Sequence, residues 1–244
     1  MMAQFQLEIE LDEHMRTNQL GSVFHGALME MLPSSAVNKL HDGFSYHPLK
    51  QRLIFQREDK DVWEIVSFDD ALTEQLTNVL QRPEPIHIKH QDVHVPVLKV
   101  HERTYDIDEL LNESFAEGDI HYVTVHMLTP MSFKANRRYS LFPDVRKFFR
   151  SIMLQFDAFV TKYKMYDRDT LDFIAEQIHI ANDQLKSTRY YVEGGKIPSF
   201  TGEMTLQLNG PIHFRQLLLF LLHFGSFSGC GVKTSLGMGK YIVL

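Results

Sequence analysis

Two observations predict an α+β chain of two tandem ferredoxin-like (RRM-like) domains, residues 1–118 and 119–244. Apolar residues alternate at period two in some segments and recur at three- and four-residue spacing in others. The two periods follow the order strand, helix, strand, strand, helix, strand in each half. With 244 residues, 44% hydrophobic and 23% charged, the chain has apolar surface for sizeable cores, which excludes intrinsic disorder.

In the first half, residues 4–11 alternate Phe5, Leu7, Ile9 and Leu11 with Gln6, Glu8 and Glu10, the pattern of a half-buried strand. Leu20, Val23, Phe24, Ala27, Leu28 and Met31 then share one helical face, ending near Pro33. Ser34 or Ser35 caps a second short helix that stops before Gly43. Residues 49–57 and 62–68 read as strands joined by the turn Glu58-Asp59-Lys60, and Asp69 or Asp70 caps a helix through about Leu80, stopped by Pro83 and Pro85. Residues 86–100 supply one or two strands broken at Pro96. The stretch 102–119 carries Glu102, Asp106, Asp108, Glu109, Glu113, Glu117 and Asp119 against Arg103 alone, and reads as the link between halves.

In the second half, residues 121–128 read as a strand. Pro143 opens a long helix through about Tyr163, and another runs from about Arg168 to Ile178. Residues 180–192 and 196–208 form a hairpin across Glu193-Gly194-Gly195, where glycine supplies positive φ. Gly210-Pro211 opens an apolar helix over 212–224, and the chain from Val232 returns as a final strand.

Composition narrows the function classes. Twenty-five basic against 31 acidic residues give a net charge of −6, so nucleic-acid binding requires a segregated basic patch. The single cysteine, Cys230, excludes an internal disulfide framework and a Cys-based zinc site and fits a reducing compartment. The start Met-Met-Ala-Gln-Phe-Gln has no signal-peptide character, and the apolar run 217–222 is far shorter than the roughly 20 residues of a membrane span. A cytoplasmic location is expected.

Three stretches carry candidate chemistry. The tail 225–239 holds five glycines with Lys233, Thr234 and Ser235, a composition able to offer backbone N–H groups to phosphate or to form a tight packing loop. It is not a P-loop, because Val232 separates Gly231 from Lys233 and the loop follows a helix. The segment 134–150 sets Lys134, Arg137, Arg138, Arg146, Lys147 and Arg150 among Phe133, Tyr139 and Phe142, cations for phosphates and aromatics for bases; a solvated basic face is the alternative. His87, His90 and His94 do not share a strand face, so no metal site is expected there. His25 sits at the margin of the first helix's apolar stripe, His41 ends the following helix, and Tyr46, His47, Lys50 and Arg52 follow closely. Two imidazoles near a lysine suit RNA self-cleavage: one takes the 2′-hydroxyl proton, another protonates the departing 5′-oxygen, and a cation stabilises the phosphorane. Taken singly, His25 also reads as a boundary residue and His41 as a cation favoured by a helix C-terminus.

The sequence resembles the CRISPR-associated repeat-processing endoribonucleases, the sixth CRISPR-associated protein family of the RAMP superfamily. Residues 225–239, Gly-Ser-Phe-Ser-Gly-Cys-Gly-Val-Lys-Thr-Ser-Leu-Gly-Met-Gly, look like that family's glycine-rich signature. Residues 20–28, 46–52, 129–134 and 196–203 support the likeness, which is greatest to the branch accompanying type III-A effector complexes. The resemblance implies metal-independent cleavage of repeats in precursor CRISPR RNA without a cofactor, leaving a 2′,3′-cyclic phosphate and a 5′-hydroxyl. It makes His25 and His41 the acid–base pair, with neither assigned as base, and Lys50 the first candidate for charge stabiliser, with Tyr46 and Arg52 as lesser candidates. Gly229, Gly231, Lys233, Thr234 and Ser235 become RNA contacts, with Lys134, Arg137, Arg138 and Arg146 beside them. The implied partners are repeat RNA and, transiently, a type III-A effector complex, with no membrane and no DNA. A non-catalytic RNA-binding RAMP subunit is the alternative.

Overall fold

The computed structural model describes residues 1–17, 20–42, 44–56, 60–81, 84–89, 92–192 and 194–244. Gly43, Arg57, Glu58, Asp59, Pro83, His90 and Glu193, which the sequence reading used, lie outside the described residues. Contacts divide the chain into two compact units: Met1–Tyr105 with Tyr191–Gly195 and Ser235–Gly237, and Asp106–Tyr190 with Lys196–Thr234 and Met238–Leu244. The first unit therefore ends its main run at Tyr105, not at 118.

The first unit runs β1 (Met2–Ile9), α1 (Leu20–Met31), α2 (Ser34–Asp42), β2 (Leu49–Ile54), β3 (Asp61–Ser67), α3 (Asp70–Leu80), β4 (Ile86–Ile88), β5 (Val93–Val95) and β6 (Val97–Tyr105). Its four-stranded sheet has the order β2-β3-β1-β6 with antiparallel neighbours, the ferredoxin-like arrangement; β4 and β5 form a separate hairpin. Strand alternation sends Phe5, Leu7, Leu53, Trp63 and Ile65 into a core shared with Leu20, Phe24 and Leu28 of α1 and Leu72 and Leu76 of α3. Phe24 meets Trp63 edge to face at 5.1 Å. Asp69 caps α3 as expected, its carboxylate accepting from the Leu72 N–H at 2.9 Å. The next residues along β2 alternate in the same way: Gln51 turns toward α1 and donates to the Gly21 carbonyl, which puts Lys50 and Arg52 on the other side of the strand.

The second unit runs α4 (Ile107–Ala116), β7 (Tyr122–Met131), β8 (Phe133–Ala135), β9 (Arg138–Ser140), α5 (Val145–Phe159), α6 (Arg168–Gln177), β10 (Ile178–Val192), β11 (Gly195–Leu208), α7 (Ile212–Ser228) and β12 (Tyr241–Val243). The sheet order β10-β11-β7-β12 repeats the first topology. Helix α7 is apolar on nearly every side because it is buried, and its Phe220 and Phe224 both pack edge-on against Phe156 of α5.

Three expectations need correction. The acidic stretch is not a linker. It is the end of β6 followed by α4, whose N-cap Asp106 accepts from the Asp108 and Glu109 N–H groups. Two of its acids meet α7, Asp119 through Arg215 and Glu117 through His223, while Asp108 pairs with Lys162 and Glu102 accepts from the Thr77 hydroxyl. The basic segment contains a hairpin, β8–β9, before α5, which starts at Val145 with Asp144 as cap instead of at Pro143. The final strand begins at Tyr241; residues 232–240 are loop, with a short 3-10 turn at Thr234–Leu236.

Candidate active site

The last turn of α2, the loop entering β2 and the middle of α1 bring three imidazoles together in the first unit. His25 projects from α1 beside the buried Phe24; its ring centroid lies 6.0 Å from that of His47. His41, on the last turn of α2, is exposed, and it lies close enough to disfavour a proton on both other rings. The sequence-expected pair His25 and His41 is thus brought together, and His47 joins it.

The three rings are not equivalent. Burial, reinforced by the neighbouring His47 and His41, lowers the His25 pKa from 6.5 to about 4, against a weaker opposite pull from the Ser235 carbonyl. His25 is therefore neutral at neutral pH. Its Nδ1 is covered and has no partner among the described residues. His47 is half-buried, and burial lowers its pKa too, with Lys50 and His41 adding to the effect while the Leu49 carbonyl opposes it. Its Nδ1 lies 3.2 Å from that carbonyl. A carbonyl only accepts, so the proton sits on Nδ1 and the Nε2 lone pair is left to take another.

Lys50 is the main departure from expectation. It is 1% exposed on β2, and burial, with Arg52 beside it, lowers its ammonium from 10.5 to about 7. A side chain so enclosed acts on His47 through its charge and does not meet a phosphate. Arg52 is equally buried and paired with Glu64.

The glycine loop also departs from its RNA-contact reading. The N–H of Gly229 donates to the Gly225 carbonyl and that of Gly231 to Ser151 Oγ, while Val232 and Gly239 donate to the carbonyls of Ser132 and Pro130. These donors are committed internally, so Gly229 and Gly231 offer none to phosphate. Glycine is required for packing: a Cβ at Gly231 would stand 2.3 Å from the Ser132 oxygen and one at Gly239 2.0 Å from the Cys230 oxygen, both at positive φ. Thr234 is buried against Gln155. Lys233 stays exposed, and Ser235 turns its carbonyl to Gln51 Nε2 at 3.3 Å and to the His25 ring. The loop thus sets the His25 ring by one backbone oxygen.

Lys134, Arg137 and Arg138 are exposed on the β8–β9 hairpin, whose turn residues Asn136 and Arg137 have φ of 50° and 63°. Lys134 lies 5.1 Å from the Tyr139 ring centre. Arg146 is occupied by an ion pair with Asp172. His87 and His94 stack at 4.3 Å across the β4–β5 hairpin, and among the described residues no three metal-ligating side chains gather. His47 is the residue that sequence reasoning named beside His41 but gave no role. Its signal was present, since it stands two residues before an edge strand and six after His41, but nothing in the pattern gave the ring's direction.

Both halves share one ferredoxin-like topology, and a solved RAMP protein binding different RNA substrates has a similar fold, covering 100% of this chain and 99% of that one at a TM-score of 0.63 and 14% identity. Thermus thermophilus Cas6 has a TM-score of 0.76 at 21% identity, covering 100% of this chain and 98% of that one. The family model for CRISPR-associated endoribonuclease Cas6 matches residues 125–241. The Streptococcus thermophilus CRISPR-associated endoribonuclease Cas6 is 31% identical over 216 residues, 88% of each chain, and its Mycobacterium tuberculosis counterpart is 25% identical over 243 residues, 98% of this chain and 77% of that one. The chain belongs to the Cas6 family of CRISPR-associated endoribonucleases. No described helix is long and apolar enough to cross a membrane.

Proposed function

We propose that this protein cleaves the repeats of precursor CRISPR RNA by attack of a 2′-oxygen on the adjacent phosphodiester, without a metal ion, leaving a 2′,3′-cyclic phosphate and a 5′-hydroxyl. The observation that carries the proposal is the cluster of His25, His41 and His47, one exposed ring beside two whose proton affinity burial lowers. His47 accepts the 2′ proton on Nε2, its tautomer fixed by the Leu49 carbonyl. His41, the exposed ring, donates to the departing 5′-oxygen. His25, held toward Ser235 and covered at Nδ1, is a positioning residue that keeps a second positive charge out of the cluster. Acid and base both come from the chain, so the reaction needs no Lewis acid.

The solved relatives support RNA as substrate, since they include a Cas6 product complex and a Cas6 substrate mimic complex. Lys134, Arg137, Arg138 and Lys233 are exposed cations that can meet its backbone. Transient docking to a type III-A effector complex and a cytoplasmic location complete the reading. The test is purified protein with repeat RNA in EDTA, beside the same RNA carrying a 2′-deoxy nucleotide at the cut. Cleavage should survive EDTA and stop with the deoxy substitution; the reverse of either result would sink the mechanism.

A further inference from the structure

A pocket of about 190 Å³ opens in the first unit between α2 and the start of α3. That is below the roughly 300–1,000 Å³ of sites for drug-sized ligands. It has room for one planar ring system and not for a sugar and phosphate as well. Leu40 and Leu72 line it with apolar surface, and Phe44, 38% exposed, supplies an aromatic wall. Lys39 Nζ lies 5.6 Å from the Phe44 ring centre but is tied to Asp69 at 3.0 Å, so the charges cancel and the pocket does not favour an anion. The Gln75 amide also lines it, and its Oε1 is buried with no hydrogen-bond partner among the described residues. A buried acceptor in that condition calls for a donor. The lining residues Leu40 and Pro48 are the chain neighbours of His41 and His47.

A neutral, flat, aromatic ligand carrying an N–H on its edge meets these features together. We propose that the α2–α3 pocket takes one nucleobase of the bound RNA, from a nucleotide flanking the phosphodiester at the histidines, with Phe44 stacking on its face and Gln75 reading its edge. The proposal rests on the nuclease reading above and adds to it a determinant of sequence preference. A base and its own phosphate are neighbours in the nucleotide, as the pocket and the imidazoles are neighbours along α2 and the loop into β2.

The test is an abasic scan along the repeat RNA, with affinity measured for the full-length wild type, Phe44→Ala and Phe44→Trp. Base–aromatic stacking predicts that one abasic position weakens wild-type binding roughly 5- to 150-fold. The same abasic RNA should bind Phe44→Ala no more weakly than intact RNA does. Phe44→Trp, which keeps an aromatic wall, should behave as wild type and controls for folding. At that position Gln75→Leu should narrow the spread of affinities among the four bases. Equal abasic losses in wild type and Phe44→Ala at every position would overturn the proposal, as would a coupled position remote from the cut. Affinity is read independently of cleavage, so a coupled position in an RNA that is bound but never cut would instead count against the nuclease reading.

Discussion

Replacing Lys50 with methionine should stabilise the protein at neutral pH, and the gain should fade as the pH rises. Burial, with Arg52 beside it, holds the folded ammonium at about 7 against 10.5 in the unfolded chain. Between those values the unfolded chain binds the extra proton, so stability climbs with pH across that window. Through the linkage relation the charge costs the fold about 4 kcal/mol at pH 7 and under about 1 kcal/mol at pH 10. Methionine has a similar reach and no charge to desolvate, but it forfeits the interaction Lys50 makes, roughly 1 kcal/mol if that is a hydrogen bond. Tyr190 and Cys230, whose pKa values burial pushes up, tilt the alkaline range in the opposite sense, so the quantity to read is wild type against variant. Chemical denaturation at pH 7, 8.5 and 10 gives it. A difference that stays level across those pH values, or a variant less stable than wild type at pH 7, would refute the reasoning. The same variant removes a charge that disfavours protonation of His47, so the acid limb of its cleavage profile should move up toward ordinary imidazole.

Four other outcomes follow from the geometry. His41→Ala and His47→Ala should each slow single-turnover cleavage by roughly 10²- to 10⁴-fold, while His25→Asn, which retains a side-chain N–H for Ser235, should lose less; equal losses in all three would place His25 at the reacting atoms. Because the folded His25 pKa lies below the unfolded value, its contribution to stability is present above pH 6.5 and is lost as the pH falls toward 4, and His25→Asn should flatten that part of the acid-denaturation curve. Arg137→Gly should raise the melting temperature by about 2–4 °C, relieving a left-handed arginine worth roughly 1 kcal/mol, yet weaken RNA binding and shallow its salt dependence. Gly239→Ala should cost roughly 1–3 kcal/mol or more because its Cβ meets the Cys230 carbonyl, whereas Gly26→Ala, with open space around it in α1, should be neutral or stabilising in the same thermal assay.

Much of the fold was legible in the chain because single local rules settled it. Phe5, Leu7 and Ile9 could be a strand only at period two, and Leu20, Phe24 and Leu28 a helix only at period 3.6. Asp69 announced α3 by its capping chemistry. What misled was composition read in place of period. In the acidic stretch, charge hid the helical face of Ile107, Leu110 and Ser114, and its acids answer partners distant in sequence, Asp108 with Lys162 and Asp119 with Arg215 of α7. In the basic segment a turn made by Asn136 and Arg137 carries no glycine to mark it. The histidine cluster was half legible for a similar reason. Spacing places residues on elements, but burial decides which ring stays neutral and which cation is withdrawn. Lys50 and His47 stand close together in sequence; strand alternation put one out of reach, and a backbone carbonyl aimed the other.

The pH–rate profile of single-turnover cleavage of repeat RNA in EDTA, for wild type and His47→Ala, tests the histidine cluster most directly. Wild type should show an acid limb below the ordinary imidazole value of 6.5, because burial holds the His47 proton affinity down, and the variant should lose both that limb and most of its rate. A wild-type profile flat through the imidazole range, or an acid limb unchanged in the variant, would contradict it.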